Sequence, residues 1–361
     1  TLNNPAYNHL LSCARAERIR ENTNTMRTHF IHAAVTTAVL SCLSTPVLSQ
    51  TQEENIETLT VTGSRLPIQL TQFPGSVSIL TEKDIQASGA LQLTDLIRGL
   101  PGVSLSQSGS PGGLTEVRVR GSETNHLLVL IDGVVANDVG QGSLIDLAHL
   151  TSANVQRIEL IRGPQSARWG SGAIGGVLSI TTKAGSSAPK GSSLSLTVGA
   201  GTQDTYQGGV NATSHLDNLQ ISAYANFMRT DGDNIARTGA EDDGYDNATA
   251  GINANYIASK THRFSVNLRA VDYKNDYDGT DFVTTGLPAD ADNVTDGKQL
   301  STKLAWEYSP VNSAYRSILS SQFRQDKNDN LTSGNDAGGT TGERIELNWT
   351  NFYTFDNWQV A

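Results

Sequence analysis

From Ser192 onward the chain repeats one pattern: segments of about ten residues in which apolar and polar side chains alternate. Leu219, Ile221, Ala223, Ala225 and Phe227 share one face, while Asn218, Gln220, Ser222 and Asn226 share the other. Such alternation marks an extended strand with two unlike faces, because successive side chains leave a pleated backbone on opposite sides. Phe264, Val266, Leu268 and Ala270 repeat it, as do Leu300, Thr302, Leu304, Trp306 and Tyr308, and Ile345, Leu347, Trp349 and Tyr353. About eight strands are expected, near 192–200, 205–213, 218–230, 248–258, 262–272, 299–308, 315–326 and 342–354, with a further one beginning at Asn357.

A soluble β-sandwich satisfies the same alternation. Three features favour a membrane barrel instead. The segments match the roughly 9–11 residues that a tilted spanning strand needs. Trp306, Tyr308, Tyr353 and Phe355 lie toward strand ends, as in interfacial girdles. Connections alternate between short (217–218, 259–261) and long (231–247, 273–298, 327–341), the rhythm of inner turns and outer loops. Eight strands would close on a lumen just wide enough for side chains. The chain therefore reads as the first part of a larger barrel, or as one whose preceding domain stands outside.

That preceding domain, from Leu59 to about Thr182, is compact and mixed. It has short apolar runs at Val77–Leu80, His126–Ile131 and Val155–Ile161. One helix is expected around Asp95–Arg98, entered through Thr81 or Thr94 and closed near Gly99, before the Pro101-Gly102 turn. Further upstream, Met26 is followed by Arg27, an apolar stretch from Ala33 to Leu43, and small residues before Gln50. This is the layout of an export signal, with residues 1–25 as an over-long start. Both cysteines, Cys13 and Cys42, lie in this leader, so the remainder has no disulfide framework or thiolate metal site. A net charge of −10 argues against a nucleic-acid partner. Only 17% of residues are charged, below the roughly 25% usual for soluble domains.

Several segments carry a family resemblance. ETLTV (Glu57 to Val61) followed by TGSR resembles the TonB box of TonB-dependent outer-membrane receptors. DLIRGLPGVSLSQSG (95–109), VRVRG (117–121), HLLVLIDGV (126–134) and VQRIELIRGPQSARWGSGAIGGVLSITT (155–182) resemble their plug motifs, most closely those of the cobalamin transporters. The resemblance implies an all-β membrane barrel, about eight strands of an expected 22, with an amino-terminal mixed α/β plug. The implied divisions are a leader (1–25), a signal peptide (26–49), a periplasmic tail with the TonB box (50–72), a plug (73–187) and the first barrel strands (188–361). It also implies a bacterial outer-membrane location, contact with its lipid, cobalamin as ligand, and the TonB energy-transducing complex as partner.

The TonB box, Glu57, Thr58, Leu59, Thr60 and Val61, suits strand addition by a partner, since main-chain pairing tolerates varied side chains. Plug apices at Gln107–Leu114 and Asn137–Ser143 are rich in Gly, Ser and Asn. Gln107, Ser108, Gly109, Asn137, Asp138 and Gln141 are candidate ligand contacts there. They offer amide and hydroxyl hydrogen bonds with little charge, which suits an amide-decorated corrinoid better than an anionic iron–catecholate. Residues 231–296 hold 13 Asp or Glu against 5 Lys or Arg. Calcium takes six to eight oxygen ligands, and the spacing here is not that of an EF-hand. The resemblance places calcium ligands at Glu241, Asp243, Asp278 and Asp296, with Asp233 beside the family's remaining Asp position. Arg157, Arg162, Arg168 and Glu159 are expected to tie the plug to the barrel wall.

The stretch Trp169–Gly176 contains GxGxxG but leads into a strand, not a helix, so it reads as tight plug turns rather than a nucleotide loop. No nucleophile elbow, HExxH or cysteine pair is present. His126, His149, His215 and His262 stand apart from one another in the sequence. The chain is therefore expected to be a transporter and not an enzyme. An iron-chelate receptor and a truncated product that does not insert are the alternatives.

Overall fold

A computed structural model describes residues 60–61, 68–109, 111–183, 191–236, 239, 241–355 and 358–360. The chain divides into two units, residues 1–51 and 52–361, and every described residue belongs to the second. The leader, the signal segment, both cysteines and Glu57–Leu59 of the TonB box lie outside the described residues.

Two short strands, β1 (Thr60–Val61) and β2 (Ile68–Gln69), pair antiparallel at the start. Next come β3 (Ser76–Leu80), helices α1 (Glu82–Ser88) and α2 (Leu93–Arg98), and the hairpin β4 (Val103–Gln107) and β5 (Thr115–Val119). The domain ends with β6 (Leu127–Ile131), β7 (Val134–Val135), β8 (Val155–Arg162), α3 (Ser166–Trp169) and β9 (Gly176–Thr182). Five of these strands form one sheet in the order β3-β8-β9-β6-β7, with β6 and β9 parallel. All five residues of β6 (LLVLI) are buried, as expected of a strand covered on both faces. One face packs with Leu93 and Ile97 of α2, and the other with Val135, Ile161 and Ala173.

Two helices stand where one was expected. Thr81 caps the first: its hydroxyl accepts from Asp84 N while the Asp84 carboxylate accepts from Thr81 N at 2.8 Å. The Thr81 hydroxyl also donates to that carboxylate (2.7 Å), and this bond, followed by the one from Thr81 N, holds the Asp84 carboxyl below its ordinary range. Gly89, at φ +66°, ends that helix in the left-handed conformation. Thr94 caps nothing; it is buried within α2, whose first amide, Leu93 N, donates to Leu150 O.

The remaining chain forms a nine-stranded antiparallel meander. Its strands are β10 (Gly191–Ala200), β11 (Tyr206–His215), β12 (Leu219–Thr230), β13 (Tyr245–Ile257) and β14 (His262–Thr280). They continue as β15 (Pro288–Tyr308), β16 (Tyr315–Thr332), β17 (Asn335–Phe355) and β18 (Trp358–Val360). All eight expected strands are present, and the segment expected from Asn357 supplies the ninth. The faces are inverted relative to a soluble sandwich. Ser222, Asn226, Asn267, Arg269, Gln322 and Arg324 are buried on the inner face, whereas Val198 (88%), Leu347 (75%) and Trp349 (70%) are exposed outside. Apolar-out, polar-in alternation is stable only where the outer solvent is itself apolar. Among the described residues no helix is long and apolar enough to cross a membrane; the strands are the elements with a spanning pattern.

Rings from successive strands meet at the end that carries the short turns. His262, Trp306, Tyr308, Tyr315, Tyr353 and Phe355 form a chain with neighbouring centroids 5.0–6.4 Å apart. At the opposite end two expected loops are mostly strand. Residues 273–298 pair as a hairpin around a tip at 281–287, and 327–341 close over Ser333-Gly334 (φ +48° and +73°). Alternation fades toward the tips, where both faces meet water, while backbone pairing continues; nearer the wall Tyr273, Asn275, Val294 and Asn328 stay buried. Among the described residues, 231–236, 239, 241–244 and the tip 281–287 lie outside the strands at this end.

The first domain sits against the inner face. Register places Asn267, Lys303 and Gln322 in one row across β14, β15 and β16. The β6–β7 turn, Asp132-Gly133, rests on that row. Asn267 Nδ2 donates to Asp132 Oδ2 (3.3 Å), and Lys303 Nζ and Gln322 Nε2 donate to Gly133 O (3.5 and 3.3 Å). Thr182 binds the same carboxylate through its amide (2.8 Å) and hydroxyl (2.7 Å), tying β9 to the turn.

Candidate functional site

The two predicted apices behave differently from one another. Ser108 and Gly109 are exposed and Gln107 is half-buried, at the open end of the β4–β5 hairpin. This loop presses close to the wall. A Cβ on Gly112 would meet Asn275 Oδ1 at 2.7 Å and would collide with the Tyr245 ring. In the second apex, Asn137 is 4% exposed and faces inward. Its Oδ1 accepts from Val129 N (2.9 Å), and its Nδ2 donates to Leu127 O (2.9 Å) and Ser143 O (3.1 Å). Both donors of that amide and one lone pair of its oxygen are thus spent on plug backbone, two of the three bonds reaching β6. Asp138 accepts from Gly140 N (2.7 Å), capping a short 3-10 turn, Val139–Gln141. Gln141 is exposed. Ser108, Gly109 and Gln141 are therefore the candidate contacts within reach of a ligand. Behind them a small cavity is lined by Asp138, Asp146, Tyr273, Arg324 and Asp326.

A feature invisible in the sequence joins plug and wall beside this cavity. His149, 3% exposed, stacks on Tyr273 with centroids 3.4 Å apart. Its Nδ1 lies 3.0 Å from Tyr245 Oη, and its Nε2 lies 3.4 Å from Asp146 Oδ2. Asn247 Nδ2 donates to the same phenol oxygen at 3.0 Å. Its wall partners Tyr245 and Tyr273 lie about a hundred residues from His149 in the chain, so no local spacing announces them. Its only sequence signal is a lone histidine in an otherwise apolar DLAHL segment.

Two of the arginines expected to reach the wall, Arg157 and Arg162, make contacts within the domain. Arg157 Nε donates to Glu159 Oε1 at 2.6 Å on the same strand. Arg162 donates to the hydroxyls of Ser76 (3.0 Å) and Ser78 (2.7 Å), fastening β3 to β8. One contact with the wall is made by the Asp132-Gly133 turn.

The acidic outer loops converge in part. Carboxylate oxygens of Glu241, Asp278 and Asp290 lie within 4.8 Å of one another. Asp278 also organises its surroundings, accepting from Ala236 N (2.9 Å) and Ala291 N (3.1 Å). Asp243 stands close by, accepting from Ile235 N at 3.5 Å; burial, Asp278 and Glu241 push its carboxyl up to about 6. Asp290 was absent from the expected set and is brought in by hairpin pairing. Asp233 is instead the acceptor of Gln203 Nε2. Asp296 lies about 20 Å further along β15, at ~3.3 Å per residue, in register with Lys274 and Asp329. Three converging carboxylates fit part of a calcium shell, with carbonyls or water needed to complete it.

Of the segment expected to be a TonB box, Thr60 and Val61 pair with Gln69 and Ile68. Extended backbone at this point is the geometry that strand addition requires.

Residues 69–177 match the family model described as "TonB-dependent Receptor Plug Domain". The amino-terminal domain is a TonB-dependent receptor plug. Solved structures share the plug and the first strands around it. The siderophore receptor PirA from Acinetobacter baumannii is 21% identical with a TM-score of 0.61, covering 79% of this chain and 46% of that one. The ferric yersiniabactin uptake receptor FyuA from Yersinia pestis is 19% identical at 0.61, again covering 79% and 46%. The ferric enterobactin receptor PfeA from Pseudomonas aeruginosa is 21% identical at 0.57, covering 78% and 47%. At these identities the likeness is one of fold. The chain spans about half the length of the receptors it matches. The plug with its partial barrel wall is thus the shared architecture.

Proposed function

We propose that this chain is the plug and early barrel wall of an outer-membrane receptor that takes up a ferric chelate with energy delivered by TonB. The observation that carries the reading is the plug seated on an inside-out β-wall, with exposed polar apices at the loop end. The three solved receptors quoted above are siderophore or ferric-siderophore receptors, which favours a chelate over cobalamin. The acidic rim around the apices favours a neutral or cationic chelate over a highly anionic one. The receptor performs no hydrolysis in this reading. Ligand binds at Ser108, Gly109 and Gln141, and the TonB box, Glu57 to Val61, pairs with its partner by strand addition. A calcium ion held by Glu241, Asp278 and Asp290 orders the outer loops. Export through a cleaved signal peptide brings the chain to the outer membrane.

The test is equilibrium binding to outer membranes bearing the protein, using a ferric tris-hydroxamate, a ferric tris-catecholate and cyanocobalamin, each with calcium and with a chelator of calcium. Tight hydroxamate binding is the expected result. Binding of cyanocobalamin alone overturns the chelate assignment. Binding indifferent to calcium removal eliminates the ion and leaves the receptor.

A further inference from the structure

The plug apex meets the barrel wall through backbone alone at one point. Gly140, in the Val139–Gln141 turn, lies against Gly342 on β17. A Cβ on Gly342 would stand 2.6 Å from Gly140 N and would collide with Asp138 Oδ1. A Cβ on Gly140 would stand 3.0 Å from Gly342 N and 3.1 Å from Gly342 Cα. Both neighbours are main chain, which cannot swing aside as a flexible side chain can. Neither glycine is needed for its own backbone angles, since neither has a positive φ. A glycine inside a regular strand with ordinary angles marks a close approach of another backbone. Gly342 sits opposite Asp326 in the stretch of the β16–β17 ladder that runs without a register shift from Tyr315 to Asn330, so the wall at this point is rigid. The flanking turn holds Asp138 and Gln141, and Asp138 Oδ1 caps the turn by accepting from Gly140 N.

We propose that Gly342 and Gly140 are positioning residues for ligand recognition: their backbone contact fixes the height and tilt of the Asp138–Gln141 apex against the wall. The inference rests on the ligand-binding reading of that apex given above. Any side chain at either position drives the apex away from β17, moving Gln141 off the geometry that a bound chelate requires. Displacement of this kind leaves the strand ladder and the plug sheet intact, because Ala136 is packed in the core and Asn137 is held by three hydrogen bonds, so the shift is confined to the turn beyond them.

The experiment compares Gly342→Ala and Gly140→Ala with Thr341→Ala, whose side chain is exposed on the outer face. Nitroxide labels at Val139→Cys on the apex and Asp336→Cys on the hairpin report the apex-to-wall distance in outer membranes. The same variants without labels are titrated with the ferric tris-hydroxamate and the ferric tris-catecholate. Both glycine variants are expected to lengthen or broaden the label distance and to weaken chelate binding about tenfold, the effect of misplacing one hydrogen bond. Thr341→Ala is expected to change neither. An unchanged distance in both glycine variants overturns the positioning role, and so does a changed distance with wild-type affinity. If the unsubstituted protein binds neither chelate, the ligand assignment fails, and the distance measurement still decides the contact. Should Gly342→Ala fail to insert, Gly140→Ala carries the test with its milder clash.

Discussion

Replacing Asn137 tests whether it serves the ligand or the plug. The structure assigns it to the plug: its amide bridges β6 to the apex through three hydrogen bonds, to Val129 N, Leu127 O and Ser143 O. Asn137→Ala leaves one buried donor and two acceptors without partners. At about 1 kcal/mol per bond, the loss is roughly 3 kcal/mol of local stability. Such a change corresponds to about a hundredfold lower protection of the Val129 amide against hydrogen exchange, at 1.4 kcal/mol per decade. Asn137→Asp is expected to be worse than Ala. It keeps the acceptor for Val129 N but sets a carboxylate oxygen against two carbonyls and buries a charge. Exchange measured by mass spectrometry on the membrane-inserted protein reads both variants. Protection of 127–131 within threefold of the unsubstituted protein, together with loss of chelate binding, would refute this assignment and return Asn137 to the ligand site.

Other expectations follow from the wall, the loops and the TonB segment. Leu347→Arg places a charge on the outer apolar face and is expected to destabilise insertion by about 2–4 kcal/mol near the bilayer midplane. Folding into lipid vesicles measures this, and a neutral result would contradict a lipid-facing wall. Asp281 at the tip of the β14–β15 hairpin accepts from Val283 N and Thr284 N, both at 3.0 Å, and its carboxyl is lowered to about 2, chiefly by Thr284. A lowered folded value means the turn's stability is present above the ordinary value near 4 and is lost as pH falls toward 2. Exchange at Val283 and Thr284 should therefore accelerate across that interval, and Asp281→Asn should abolish the pH dependence. Thr60→Pro removes a main-chain donor from the TonB-box segment. It should leave chelate binding intact and abolish energised uptake; uptake at the wild-type rate would exclude strand addition there.

Much of the architecture was legible from residue order. Each barrel strand announces itself where one face meets an apolar phase and the other meets plug or water, as at Leu219–Phe227 and Phe264–Ala270. The pattern weakens where the environment becomes uniform. Asp276, Asp278, Asp290 and Asp292 read as loop because both faces of that hairpin are wet, yet the main chain pairs through them. The boundary between α1 and α2 was blurred for a different reason. Thr81 and Thr94 are both plausible caps by type, and only burial distinguishes the exposed capping box from the threonine enclosed in the core.

The candidate site divides along the same line. Sequence put small polar residues at the plug loops and acidic residues in the outer hairpins, because Gly, Asn and Asp are local preferences written residue by residue. It also established the plug through motifs whose glycines and apolar runs serve local turns and one sheet. Tertiary structure alone decided which apex residues are free. Asn137 is consumed by its own backbone, while Gln141 stays exposed. It alone brought Asp290 to Glu241 and Asp278, His149 to Tyr245 and Tyr273, and Gly140 to Gly342. Those pairings depend on strand register and on how the plug is seated in the wall. Both are set by summed packing over distant segments, and no local run of side chains encodes them.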